Sequence, residues 1–363
     1  MITFESVTKQ FPGGTTAVDE LDLQVPEGEV VVLVGPSGCG KTTILRMVNR
    51  MIEPSDGRVS VNGEDIMQTS PPRLRRGIGY VIQGIGLFPH RTIAQNVATV
   101  PKLEGWDDDR IRARVDELIV TVGLPDDVGD RYPHQLSGGQ QQRVGVARAL
   151  AVDPPVMLMD EPFAAVDPIV RTRLQDEFLR LQSEVRKTIV FVTHDIDEAI
   201  KMGDRIAILS QGGHLQQLAT PEDLLAEPAN DFVADFLGAE RGLKRLALIP
   251  VSQVEADRGP VVSLGAGVDE VRRVADAHDS DWVVVVDDDG RTRGWARLDD
   301  LDGRGSVDGV ELRDFELAVR ADDSLRTALN ALVISRHGVA VRLGDGDRYE
   351  GLLTRELLSE ELR

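Results

Sequence analysis

Near-continuous apolar runs punctuate the chain at residues 30–34 (VVVLV), 78–82 (IGYVI), 156–159 (VMLM), 188–193 (TIVFVT) and 206–209 (IAIL). Short apolar runs bounded by turn residues read as strands buried on both faces, as in a parallel sheet. The first 30 residues differ: apolar positions alternate through Ile2, Phe4 and Val7 and again through Leu21, Leu23 and Val25, with a turn at 11–14 (FPGG). Residues 58–61 followed by Asn62-Gly63 carry a hairpin signal. From about 87 to 150 the period becomes helical. Within 106–122, Ile111, Val115, Leu118, Ile119 and Val122 share one face. A further helix is expected at about 169–185. Strands alternating with helices predict an α/β domain around a parallel sheet.

The first run leads into GPSGCGKTT at residues 35–43, and then into a helical pattern at Ile44, Leu45, Met47 and Val48. Strand, G-x-x-x-x-G-K-[ST] and helix, in that order, form a nucleotide-binding phosphate loop in its required context. The glycines let the backbone curl so that its N–H groups face inward as an anion nest. The helix N-terminus behind it adds about half a positive charge. Lys41 can reach the β- and γ-phosphates, and the Thr42 hydroxyl can ligate Mg²⁺. Phe11, 24 residues ahead of the loop, either stacks on adenine or plugs the neighbouring turn. Cys39 inside the nest is expected to react with thiol reagents and to be protected by ATP; alternatively it is a small buried residue chosen for fit.

Two other runs end in chemistry. Asp160-Glu161-Pro162 follows VMLM, which delivers two carboxylates to the C-terminal end of a strand, where open α/β sheets place ligands. Asp160 can hold Mg²⁺ through water, and Glu161 can polarise an attacking water as general base. His194 follows the run at 188–193 at the same sheet edge and is expected to contact the γ-phosphate. At residues 136–140, LSGGQ places Ser137 as an N-cap, with Gly138 and Gly139 permitting close backbone approach. This is a second anion-binding helix start without a lysine of its own.

Composition narrows the setting. A chain of 363 residues suggests two or three domains. No run approaches the ~18 apolar residues of a membrane span, and the opening MITFESVTKQ lacks signal-peptide regions, so a cytosolic chain is expected, able to sit on a membrane through a partner. One cysteine rules out an intrachain disulfide framework and a multi-cysteine zinc site. The net charge of −20 argues against nucleic acid as a partner.

Together these motifs resemble the ATPase subunits of ABC transporters, over about residues 1–237. The strings YVIQGIGLFPH, LSGGQQQRVGVARALA, FVTHDIDEAIKMGDRIAIL and PANDFVADFLGAERGLKRL look like the importers of glycine betaine, choline, carnitine and related quaternary-amine osmoprotectants. The resemblance implies a P-loop ATPase core with a helical signature subdomain. It implies ATP contacts from Phe11, Gly35, Pro36, Ser37, Gly38, Cys39, Gly40, Lys41, Thr42, Thr43 and Asp160. Catalysis falls to Glu161, His194 and Gln83, and Mg²⁺ to Thr42, Gln83 and Asp160. It also implies a head-to-tail homodimer in which Leu136, Ser137, Gly138, Gly139, Gln140 and Asp167 reach the partner's ATP. The further partners are permease subunits at the cytoplasmic face of the membrane and, indirectly, an extracytoplasmic solute-binding protein. The chain departs from the family at Gly84, usually Gln, and at Ala164-Ala165-Val166-Asp167-Pro168, usually G-A-L-D-P. The second change could alter signalling between subunits. An importer of amino acids, polyamines or sugars is the alternative. A soluble ABC ATPase working on DNA or ribosomes is disfavoured by the compact spacing of the motifs and the acidic charge.

Past Arg245 an internal repeat begins. A shift of 57 positions superposes Val268 on Leu325, Val271 on Ala328, Ala275 on Leu332, Val284 on Val341, Gly294 on Gly351 and Leu301 on Leu358. Each copy reads helix, buried strand, Asp-Gly turn, strand, helix. This resembles a tandem pair of cystathionine-β-synthase-type (CBS) domains of α+β class. The expected division is an ATPase domain at 1–240 and a regulatory domain at 241–363, with repeats at about 246–303 and 310–361. Nucleotide sites of that family end G-h-h-[ST]-x-x-D. Here Arg297 replaces the hydroxyl residue in the first copy and Leu357 the carboxylate in the second, so nucleotide binding is doubtful and Trp295 is a candidate to fill the cleft. Ionic-strength gating against anionic lipid headgroups, with Arg241, Lys244 and Arg245 as basic contacts, or a cyclic dinucleotide are the family's other options.

Overall fold

A computed structural model of the protein describes residues 1–360 apart from Gln83, Ile85 and Ala165. The chain forms two compact units, Met1–Gly238 and Ala239–Arg363.

In the first unit the apolar runs assemble into one six-stranded sheet in the order Leu215–Ala219, Arg205–Leu209, Val30–Val34, Thr188–Val192, Val156–Asp160, Ile78–Val81. Every pairing is parallel except that of Leu215–Ala219 with Arg205–Leu209. Val30–Val34, Val156–Asp160 and Thr188–Val192 are buried at every position, which explains why these strands lack alternation. The edge strand Leu215–Ala219 escapes the sequence reading because each of its residues is half-buried, leaving neither a run nor an alternation.

The alternating N-terminal positions build a second, antiparallel sheet from Thr16–Val25, Ile2–Gln10, Asp56–Val61 and Glu64–Asp65. The Asn62-Gly63 signal is a true hairpin, both residues having positive φ, 52° and 81°. The phosphate-loop helix Lys41–Val48 lies in the core joining the two sheets, with Ile44, Leu45, Met47 and Val48 fully enclosed. The helical stretch resolves into Ile93–Val97, Thr99–Leu103, Asp108–Thr121 and Gly138–Leu150.

The second unit contains two three-stranded sheets of identical pattern. Val261–Ser263, Trp282–Val286 and Thr292–Arg297 form one, and Ala318–Val319, Ala340–Leu343 and Tyr349–Leu353 the other. The helices Val268–Ala277 and Leu325–Ile334 precede the central strands. The repeat is less regular than its apolar frame suggests. The second copy closes with the helix Arg355–Glu360, the first with only the 3₁₀ turn Leu298–Leu301. Leu246, Ile249, Val251 and Val254, which the sequence assigns to the first copy, pack into the core of the second with Val319, Leu325 and Leu353. A backbone bridge between Pro250 and Ser324 fixes them there. Trp282, Val284 and Trp295 of the first sheet pack against Val341 and Leu352 of the second. The His337 ring stacks on Trp282 at 4.4 Å and meets Trp295 edge-on at 4.5 Å. Burial holds its imidazole below the ordinary histidine range.

Candidate active site

Strand register brings the site together. Asp160 pairs with Val192, and the Glu161 N–H donates to the Val192 carbonyl at 3.0 Å. Glu161 therefore emerges beside Thr193 and His194, which follow Thr188–Val192, the strand paired with the Val30–Val34 strand that feeds the phosphate loop. The Glu161 backbone is left-handed, with φ 45°, a conformation that costs a non-glycine residue about 1–2 kcal/mol and is concentrated at functional sites. It turns the chain at the strand end and leaves the Glu161 carboxylate 3.2 Å from His194 Nδ1. Both line a cleft of about 550 Å³ with Ala17, Gly35, Pro36, Ser37, Gly38, Gly40, Lys41, Thr42, Thr43 and Phe236.

The loop's curl depends on glycine at both ends: a Cβ on Gly35 would lie 2.2 Å from the Leu209 carbonyl oxygen. Gly40 has φ 107°, and a Cβ there would lie 2.4 Å from the Ala17 carbonyl oxygen. Gly40 is also the N-cap of Lys41–Val48, so this close approach sets where Lys41 and Thr42 begin. The buried Lys41 ammonium donates to the carbonyls of Gly35 at 2.7 Å and Pro36 at 3.0 Å. Thr42 Oγ1 donates to Asp160 Oδ1 at 3.2 Å. Burial pushes the Asp160 carboxyl above the ordinary carboxylate range, opposed by the Thr42 hydrogen bond and the charge of Arg46, with Glu161 adding to the rise and Lys41 opposing it. A hydroxyl and a buried carboxylate that converge in this way suit a small hard cation that keeps most of its water and takes few protein ligands.

Some expected contacts stand elsewhere. Gln83 lies outside the described residues. Phe11 is 37% exposed with the Lys9 ammonium 5.2 Å from its ring centre, and it does not line the cleft. The Cys39 side chain is fully enclosed in the core behind the loop, and its N–H donates to Pro36, so it is the small buried residue rather than a group that faces a nucleotide. Thiol reagents are accordingly expected to modify Cys39 in the native protein at least about tenfold more slowly than after denaturation. Mass-spectrometric labelling with iodoacetamide checks this, and equal rates would mean that the loop opens readily. Leu136 is likewise buried. Ala17 and Phe236, the latter from the helix Asp231–Leu237, line the cleft without being expected there. Phe236 lies within the string PANDFVADFLGAERGLKRL, but that string carries no phosphate motif, and tertiary packing brings the residue to the cleft.

The signature residues form a separate site. Ser137 Oγ accepts from Gln140 N–H at 3.3 Å, and Gln140 Oε1 accepts from Ser137 N–H at 3.0 Å, a complete capping box at the start of Gly138–Leu150. Ser137 and Gly138 are exposed, and none of residues 136–140 lines the phosphate cleft. Gly139 faces the helix that Asp167 caps: a Cβ there would meet Val170 at 3.0 Å, and Asp167 Oδ1 accepts from Val170 N–H at 3.1 Å.

In the second unit the incomplete nucleotide motif is occupied by its own side chains. Asp300 is ion-paired with Arg313 at 2.9 Å, and the Arg313 guanidinium lies 5.0 Å from the centre of the buried Trp295 ring. The half-buried basic residues Arg241, Lys244 and Arg245 all lie on the helix Arg241–Leu246, not on a fully solvated face.

Comparison with known proteins agrees with this geometry. The ABC transporter family matches residues 18–164. The osmoprotectant import ATP-binding protein OsmV of Salmonella typhimurium is 44% identical over 100% of this chain and 96% of its own length. The glycine betaine/carnitine/choline transport ATP-binding protein OpuCA of Bacillus subtilis is 43% identical over 99% of this chain and 95% of its own length. The dimeric ATP-binding cassette MJ0796, in a post-hydrolysis state bound to ADP and phosphate, superposes with a TM-score of 0.55 at 33% identity, covering 61% of this chain and 99% of that one. With a phosphate loop, a strand-end carboxylate pair and a signature helix start in place, and with identity sustained along its whole length, the chain belongs to the ATP-binding subunits of ABC importers, in the osmoprotectant branch.

Proposed function

We propose that the chain hydrolyses ATP as a head-to-tail homodimer on the cytoplasmic face of the membrane, and so drives uptake of a quaternary-amine osmoprotectant through permease subunits fed by an extracytoplasmic binding protein. The observation that carries this reading is the separation of two partial anion sites: Lys41, Glu161 and His194 share a cleft that Ser137 does not line. A second copy, reversed, supplies Ser137, Gly138 and Gly139 to the open side of the triphosphate, with Asp167 nearby. Lys41 holds the β- and γ-phosphates. Glu161 accepts a proton from the attacking water while His194 orients the carboxylate and γ-phosphate, and ADP and phosphate leave. Thr42, Asp160 and Gln83 would hold Mg²⁺, which neutralises phosphate charge when bound. No helix among the described residues is long and apolar enough to cross a membrane, so attachment falls to the permease.

The second unit is assigned as a CBS-type regulatory module. Because Asp300 is already paired with Arg313 and Trp295 fills its surroundings, the module is read as a sensor of ionic strength, with anionic lipid headgroups as its contact, rather than as a nucleotide or cyclic-dinucleotide receptor. Cells that produce the chain with its permease are expected to accumulate labelled glycine betaine, and deletion of the chain to abolish this. Unchanged uptake in the deletion strain overturns the assignment of the solute. Truncation after Gly238 is expected to retain uptake but remove its rise with osmotic strength; a truncated transporter that still responds to salt removes the sensor from the second unit.

A further inference from the structure

Phe236 is the one cleft residue contributed by the last helix of the ATPase unit, Asp231–Leu237. That helix is already held without it. Asn230 caps its start by accepting from Val233 N–H at 3.0 Å, and Val233 and Leu237 are fully buried. Phe236 is only half-buried, and the Phe232 ring lies stacked beside it at 6.4 Å and 17°. Its ring is therefore not needed to anchor the helix and is presented to the cleft that holds Lys41, Glu161 and His194. Directly after the helix comes Gly238, with φ 81° and nothing within 4 Å of a Cβ built on it, and then the second unit begins.

We propose that Phe236 is a nucleotide-positioning residue whose ring walls the cleft against bound ATP, so that nucleotide occupancy restrains the helix Asp231–Leu237 from which the second unit is tethered. This rests on the ATPase reading above and extends it to regulation of the same site. An aromatic wall excludes water from one side of the nucleotide and contributes contact area to it. In the reverse direction, whatever holds or releases the tether changes the wall, because coupling between two sites is reciprocal.

The test uses the full chain. Phe236→Ala is expected to raise KM for ATP and lower kcat/KM by about five- to tenfold, the order of one aromatic contact, with Phe236→Leu recovering part of the loss. In Phe236→Trp the added indole should change its emission when MgADP binds, measured against the wild-type background of Trp106, Trp282 and Trp295. Hydrogen exchange at residues 230–238 should slow on nucleotide binding in the wild type and not in Phe236→Ala at saturating nucleotide. A Phe236→Ala enzyme with wild-type KM, or a nucleotide-induced slowing of exchange equal in both proteins, overturns the proposal. If the wild-type chain binds no ATP at all, it is the ATPase reading that fails.

Discussion

Glu161→Gln is expected to bind ATP, to dimerise in its presence and to turn it over at least about 100-fold more slowly than the wild type, within the usual contribution of a general base. The substitution removes the only charge it needs to remove. Glutamine has the same length, can occupy the same place 3.2 Å from His194, and leaves Lys41 and the Thr42–Asp160 pair untouched. Binding and hydrolysis should therefore separate. Phosphate release at saturating ATP gives the rate, and size-exclusion chromatography with ATP gives the assembly state. A dimer that persists with ATP but not with ADP is the expected record of a step arrested before cleavage. Normal turnover would take the proton-accepting role away from Glu161.

The second large effect is expected from Gly40→Ala. A methyl group at this position meets a backbone carbonyl, Ala17 O, at 2.4 Å, and φ of 107° is strained for any L-residue with a side chain. A flexible side chain could swing aside, but a backbone carbonyl within a strand moves only with its chain. The loop must shift, and Lys41 and Thr42 shift with it because Gly40 caps their helix. Nucleotide affinity is expected to fall by more than about 100-fold, roughly 2.7 kcal/mol, with far-UV circular dichroism little changed. Equilibrium binding of a fluorescent ATP analogue measures it, and wild-type affinity would show that the loop accommodates the methyl group without moving its cation.

The legible part of this protein is that in which chemistry restricts residue type. On the proposed reading, a backbone that must wrap a triphosphate needs glycine at Gly40 and a cation at Lys41, and a hydrolytic water needs a carboxylate such as that of Glu161 beside it, so these residues announce themselves by spacing alone. The motifs do not say which atoms face the ligand. Cys39 and Leu136 sit inside motif strings, yet both side chains are buried, because a tight backbone turn that exposes some groups directs others into the core. Phe236 is the converse case, a cleft residue on a helix with no phosphate motif. The repeat in the second unit was visible from its apolar frame, but a frame cannot reveal with which copy a segment packs. Residues 246–254 are as apolar as either copy requires, and the bridge from Pro250 to Ser324 decides the matter.

The packing of residues 246–254 into the second copy bears on how the second unit folds. Its first stretch to leave the ribosome completes a core whose remaining strands are made last, and Trp282, Val284 and Trp295 of the earlier half find their cover on Val341 and Leu352 of the later one, so neither half is finished without the other. Loss of either half would strip cover from the apolar side chains of both. Despite its duplicated architecture, the unit should unfold in one cooperative transition, and neither half should be obtainable as a stable fragment.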